Sequence, residues 1–400
     1  MIARGTVALS YVLFVLVGLG AGVNGVVLLP QLHDYDVDRT LFGLVFVAGS
    51  AGFVAAGAVT GPFVHRWGCR AALLLGVATY VLGGLYIATR PPFAAFVLVQ
   101  LLAGFGTGLL ESILNAYVAA LPEATGRLNR LHAFFGAGAL LGPLLATWML
   151  RFTTWPIVFL ALAGVAVPLG LAVAALFPGR AADPAVAVSE AHTGRRLLGP
   201  ALRSRVVLLG SLLLTVYVGL EIGVGNWAYS YLVEARSVTA TAAGATISLY
   251  WLGLTLGRFV LGSAATRAGL TAAGLMYGCL AGITVAAALT WALPGTVPLA
   301  AGFALLGFFL GPVFPTAMVV VPPLAGPGLA PTAIGVMNAG SVVGGAALPW
   351  LAGAVTQGYG AWTLMPFALV LAFAQLAVWW PVAAGSPLTT RPRQEELRSA

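Results

Sequence analysis

Residues 100–122 read QLLAGFGTGLLESILNAYVAALP, an apolar run of membrane-spanning length with a carboxylate, Glu111, near its centre. A charge at that depth costs about 2.5–3.5 kcal/mol on insertion scales, so such a residue faces a bundle interior or a water-filled cavity. On a helical period Gln100, Gly104, Thr107, Glu111 and Asn115 share one face. The stripe reads as the wall of a solute path, with a polar contact between helices as the structural alternative.

The rest of the chain agrees. Its 400 residues are 60% hydrophobic and 8% charged, with mean hydropathy +0.99, which excludes a soluble domain and defines an all-α, polytopic membrane protein. The 52 glycines and 24 prolines suit closely packed helices in lipid. Twelve runs are long enough to span: 8–30, 40–64, 70–89, 93–121, 129–150, 155–178, 205–232, 241–265, 270–292, 298–321, 330–356 and 361–383. The first is too long for a signal-peptide core and leads into further spans, so it counts as a helix.

All 19 basic residues are arginine. With the N-terminus inside, the inner segments hold Arg4, Arg66, Arg70, Arg127, Arg130, Arg180, Arg195, Arg196, Arg203, Arg205, Arg267, Arg391, Arg393 and Arg398, and Arg258 lies near the inner end of its run. The outer side holds Arg39, Arg90, Arg151 and Arg236, so the bias is fifteen to four. Both termini are expected in the cytoplasm, in a cell membrane. Arginines dispersed between apolar runs do not suit nucleic acid as a partner. Cys69 and Cys279 lie in or beside apolar segments without metal-ligand spacing, and neither a disulfide nor a redox role is expected.

The longest connection, 179–204, carries Pro, Ala and charges, as a cytoplasmic linker does. It separates six-helix bundles at 1–178 and 205–385, followed by a cytoplasmic tail at 386–400. The halves repeat. GLGAGV at 18–23 matches GLEIGV at 219–224, and Gly61…Arg66-x-Gly68 matches Gly262…Arg267-x-Gly269, both at an offset of 201. LLAGFGTG at 101–108 answers ALLGFFLG at 304–311 at 203, and His132-Ala133…Pro143 answers Asn338-Ala339…Pro349 at 206. Parallel repeats with a site between them imply alternating access.

The stretch Gly61-Pro-Phe-Val-His65-Arg66-Trp-Gly68-Cys-Arg70, with its second copy at Gly262–Gly269, resembles the loop 2–3 signature of the major facilitator superfamily. The resemblance covers the whole chain and implies two pseudo-symmetric six-helix halves. The signature's acid, which helps latch the halves on the cytoplasmic side, is replaced by His65 in one copy and Thr266 in the other. Gly61, His65, Arg66, Gly68, Arg70 and Arg267 are the gating residues it implies. Arg258 is grouped with them, and either snorkels to the inner surface or pairs across helices.

A closer resemblance is to the fucose permease-like sugar symporters. Glu111-Ser-Ile-Leu-Asn115-Ala-Tyr117 is similar to that group's Glu-x-x-x-Asn-Pro-Tyr/Phe element, in the sugar and proton path. Leu128-Asn129-Arg-Leu-His132 is similar to its fifth-helix entry, with His132 in place of a sugar-binding Gln, and Leu28-Leu29-Pro30-Gln31 to the end of its first helix. The proton-linked Asp expected four residues before that Pro is Val26.

Glu111 and Glu221 are the acids well inside the runs, one in each half. The superfamily's cavity-lining helices 1, 4, 7 and 10 include both. Desolvation favours the neutral form of a buried carboxyl, so an acid wetted in one state and dried in the other can carry a proton across the cycle. Glu111 is expected to couple protons, and Glu221 to bind solute or share the coupling, with a structural bond as its alternative. Sugars need polar groups on their hydroxyls and an aromatic face against their C–H surface. Asn24, Asn115, His132, Asn226 and Asn338 are candidates for the first, and Tyr117, Trp227, Tyr250 and Trp251 for the second. Asn24 faces either the cavity or another helix, and the aromatics have packing or interfacial alternatives.

Gly18-x-Gly20-x-Gly22 lies in a membrane run with no preceding strand, and a chain without Lys holds no Walker lysine, so no nucleotide cofactor is expected. There is no nucleophile–base constellation and no enzyme is expected. The readings are proton-coupled symport of a sugar or similar small solute by a monomer, or proton-coupled export of drugs or amphipathic metabolites. Gly138-Ala-Leu-Leu-Gly142-Pro143 partly resembles the antiporter signature behind the latter.

Overall fold

The computed structural model describes residues 2–179, 197–326 and 328–384, and all their regular elements are helical. Most of the linker and the tail, with Arg180, Arg195, Arg196, Arg391, Arg393 and Arg398, lie outside the described residues.

Helix α1 is Ile2–Tyr35. A single helical stretch, Leu44–Ala88, follows and holds two of the expected spans. At 1.5 Å per residue its 45 residues exceed twice the hydrocarbon thickness of about 30 Å. The stretch breaks at Gly68, with φ 80° and ψ 166°, into α2 (44–67) and α3 (69–88). Side chains other than hydrogen are strained there. Then come α4 (Phe93–Ala119), α5 (Ala124–Met149) and α6 (Trp155–Leu176). Helix α7 (Arg205–Ser230) continues as a π-helical turn, Tyr231–Ala235. Helices α8 (Ala240–Arg267) and α9 (Ala272–Ala292) follow. Helix α10 has two pieces, Thr296–Leu310 and Val313–Val320, parted at Gly311-Pro312, where proline lacks the helical donor. Helices α11 (Ala330–Tyr359) and α12 (Leu364–Ala384) complete twelve among the described residues.

These helices form two compact units. One holds α1–α6 with Gly223–Trp251 and Ala346–Leu364, the ends of α7, α8 and α11 on one side. The other holds the rest of those three helices with α9, α10 and α12.

Glycines set the helix crossings, and the crossings repeat. In the first unit α2 meets α4 where a Cβ on Gly52 would strike the Leu101 carbonyl and one on Gly104 would strike Gly49. In the second unit α8 meets α10 where Gly253 faces the Ala304 carbonyl and Gly257 faces Phe308. Gly52 and Gly253 are 201 apart, and Leu101 and Ala304 are 203 apart, the offsets read from the motifs. Likewise Gly138 of α5 abuts the backbone of Val15 in α1, and Gly344 of α11 abuts that of Thr215 in α7. Small residues let backbones approach closely where lipid supplies no hydrophobic drive between helices. Gly269 at the end of α8 has φ 66°, so both copies of the loop motif place a glycine at positive φ.

Candidate functional site

Each unit brings polar residues together inside membrane-length helices. In the first, Glu111 and Asn115 lie one turn apart on α4, and Asn115 Nδ2 donates to the Glu111 carbonyl at 2.9 Å. This leaves the amide oxygen facing α5, where His132 Nε2 lies 3.2 Å away. Phe14 of α1 meets the imidazole edge-on, with centroids 5.6 Å apart. Glu111, Asn115 and His132 are half-buried. The stripe above them is not all open: Gly104 is covered by α2.

The other first-half candidates lie elsewhere. Tyr117 is buried; its hydroxyl donates to Thr6 Oγ1 at 3.1 Å and its ring packs on Phe177. Asn24 is exposed on α1, one residue before the point where Gly25 meets the backbone of Gly225 and Asn226.

In the second unit, Glu221 of α7 pairs with Arg258 of α8, Nη2 to Oε1 at 3.5 Å. Tyr217, one turn earlier and fully buried, lies beside both charges, with the Phe314 ring against it. Arg258 thus pairs across helices. Asn338 is exposed on α11 and is not brought to this cluster; its carbonyl accepts from Ser341.

Asn226, Trp227, Tyr250 and Trp251 belong to the first unit. Trp227 is buried and donates to the Pro349 carbonyl at 2.8 Å, with Phe46 beside its ring. Tyr250 and Trp251 are buried edge to face, and the Trp251 ring covers Gly225.

A third cluster was not singled out from sequence. Arg39, before α2, pairs with Glu234 in the π-helical turn after α7. Its Nη1 donates to the Thr356 carbonyl of α11 at 3.5 Å, and its backbone N–H to Gln357 Oε1 at 3.1 Å. Nearby glycine contacts tie the same ends: Gly244 of α8 against Thr147 of α5, and Gly43 against Trp350 of α11. Arg90 pairs with Asp34 at 3.5 Å, and Asp34 accepts from Trp155 Nε1 at 2.9 Å. In the sequence these arginines count only toward topology. The available signal is Asp34, Asp36, Asp38 and Glu234 at the same set of helix ends.

Of the motif residues, Gly61, His65, Arg66, Arg70 and Arg267 are exposed and Gly68 is buried. The Arg66 guanidinium lies 5.5 Å from the Trp67 ring. Cys69 and Cys279 are buried and are not joined in a disulfide. Among the described residues no three His, Cys, Asp or Glu gather as a metal site.

Among the described residues, repeated membrane-length helices with charged and polar groups in their interiors have the architecture of a membrane transporter. The sequence model of the Major Facilitator Superfamily matches residues 10–276, two thirds of the chain, and the protein belongs to that family. It is 26% identical over 388 residues to "Bypass of stop codon protein 6" of Saccharomyces cerevisiae, covering 87% of this chain and 76% of the relative. It is 31% identical over 229 residues to a glucose/galactose transporter of Brucella abortus, covering 53% of this chain and about half the relative's length, 51%. A nucleoside transporter structure superposes with TM-score 0.80 at 16% identity, covering 96% of this chain and 99% of that one. The E. coli fucose:proton symporter does so with TM-score 0.63 at 17% identity, covering 95% and 98%. At these identities the two structures bear on the fold alone.

Proposed function

We propose that this transporter carries a small polar solute of the sugar class together with protons, by alternating access. The observation that carries the reading is the pair of polar clusters inside membrane-length helices, Glu111–Asn115–His132 in the first half and Tyr217–Glu221–Arg258 in the second. The first offers an amide and an imidazole, groups that meet sugar hydroxyls. The glucose/galactose relative supports that solute class. Glu111 and Glu221 are the proposed proton carriers. We place both termini in the cytoplasm on the arginine bias, and take the monomer as the working unit. Symport would then draw on the membrane potential, about 2.3 kcal/mol per charge per 100 mV.

The test uses proteoliposomes with an internal pH dye and gradients of D-glucose or D-galactose. Sugar-driven proton uptake is expected in the wild type. It should be lost in Glu111→Gln and Glu221→Gln while sugar counterflow persists in at least one of them. Full proton uptake in both variants sinks the assignment. Thermal stabilisation by amphiphiles and by no sugar replaces it with export.

A further inference from the structure

Tyr80 lies on α3, and its side chain leads into the first unit. Its backbone is pinned where α3 crosses α4: a Cβ on Gly106 would strike Thr79 Oγ1 and the Tyr80 backbone nitrogen. From there the side chain reaches a third helix. A Cβ on Gly20 of α1 would stand 3.3 Å from the Tyr80 hydroxyl oxygen. Gly20, Tyr80 and Gly106 all fall near the middles of their helices, Ile2–Tyr35, 69–88 and Phe93–Ala119. The hydroxyl therefore lies at the depth of the bilayer midplane, where carriers built from repeats hold their solutes.

The side of α1 that the hydroxyl meets is an open one. Gly18 and Gly22 face α5, and Gly20 stands two residues from each, about 200° round the helix. Asn24, one turn along that face from Gly20, is exposed. On α4, Thr107 follows Gly106 and belongs to the polar stripe that runs on to Glu111 and Asn115. Thr107 and Tyr80 are both half-buried. Among the described residues, no hydrogen bond reaches the side-chain polar atoms of Asn24, Tyr80 or Thr107, and the two hydroxyls are not sealed from solvent. Turned to lipid at this depth, an amide, a phenol and an alcohol would each lose their water without compensation, so the face they share is a wetted one. At the repeat offset of 201 Gly20 corresponds to Glu221. Each half therefore sets a polar group at this level, and in the first half it is a phenol reaching over from another helix. A residue that only filled the seam would need the ring and not the hydroxyl.

We propose that the Tyr80 hydroxyl is a solute-binding group: with Asn24 and Thr107 it forms a polar subsite at the midplane of the first unit and hydrogen-bonds one hydroxyl of the carried sugar. A phenol can both donate to and accept from such a hydroxyl. The proposal deepens the sugar reading above and rests on it. The full chain in proteoliposomes is assayed for counterflow of D-glucose, D-galactose and their monodeoxy analogues. Tyr80→Phe keeps the ring, and should weaken the half-saturation for the parent sugar about fivefold, the loss of one hydrogen bond, at an unchanged maximal rate and melting temperature. For one monodeoxy analogue, the one lacking the bonded hydroxyl, wild type and Tyr80→Phe should be equal. An unchanged half-saturation for the parent sugar overturns the proposal, and so does a loss shared by every analogue, which marks a packing role. A second measurement needs no sugar. Gly20→Cys, with Cys69 and Cys279 changed to Ala, places a thiol beside the hydroxyl and should react with a charged, water-soluble thiosulfonate. A thiol that does not react overturns the wetted face and the proposal with it. If the wild type moves neither sugar while this thiol reacts, the polar subsite stands and only its link to sugar is removed.

Discussion

On the alternating-access reading, the helix ends joined around Arg39 must come apart once in each cycle. Arg39→Ala removes the ion pair to Glu234 and the contact with the Thr356 carbonyl. It keeps the backbone N–H bond to Gln357, which needs no side chain. The arginine and glutamate side chains are 16% and 30% exposed, so the pair is partly screened by solvent. A partly covered ion pair with one further hydrogen bond is worth about 1.5 kcal/mol. Losing it should raise the open fraction roughly tenfold. Thr147 supplies the readout, because it is buried against Gly244 at the same ends. A Thr147→Cys variant, with the buried Cys69 and Cys279 changed to Ala, is labelled with a small maleimide. The labelling rate should rise about tenfold with Arg39→Ala and by less with Glu234→Gln, which keeps the Thr356 contact, and the two should not add. An unchanged rate in both variants would refute the latch.

Two further outcomes follow from backbone and packing geometry. Gly68→Ala forces a side chain onto φ 80°, ψ 166° and should cost about 1–3 kcal/mol, seen as a lower melting temperature. Gly61→Ala, where an added Cβ meets nothing within 4 Å, serves as the unaffected control, and equal melting of the two variants contradicts the account. Tyr117→Phe removes the hydrogen bond to Thr6 and should lower stability by about 1 kcal/mol while leaving sugar exchange intact. Lost exchange at unchanged melting temperature would return Tyr117 to the solute path.

The frame was legible because it is written twice. The glycines at 52 and 253, at 138 and 344, and at 68 and 269 do the same backbone work in each half. A crossing that admits no Cβ leaves its mark on the sequence twice, at offsets between 201 and 206. The merged stretch Leu44–Ala88 departs from two separate runs only because one glycine makes the turn without ending the helical pattern. The chemistry is written once, so no internal comparison exposes it. Glu111 corresponds to Phe314 at the 203 offset, and Glu221 and Arg258 correspond to glycines. Hydropathy singles out an acid in an apolar run, yet its partner depends on the rotation of two helices about each other. That is why Arg258 could be read as snorkelling or as pairing across helices, and why Trp227 could be read as a ligand platform although its indole donates to Pro349. Arg39 was hidden for another reason. Its partners Glu234 and Thr356 lie 195 and 317 residues away, in helices whose ends join the first unit while their bodies belong to the second. The scaffold is therefore duplicated and its charges are not: symmetry supplies two comparable halves, and the Glu221–Arg258 pair occupies one of them.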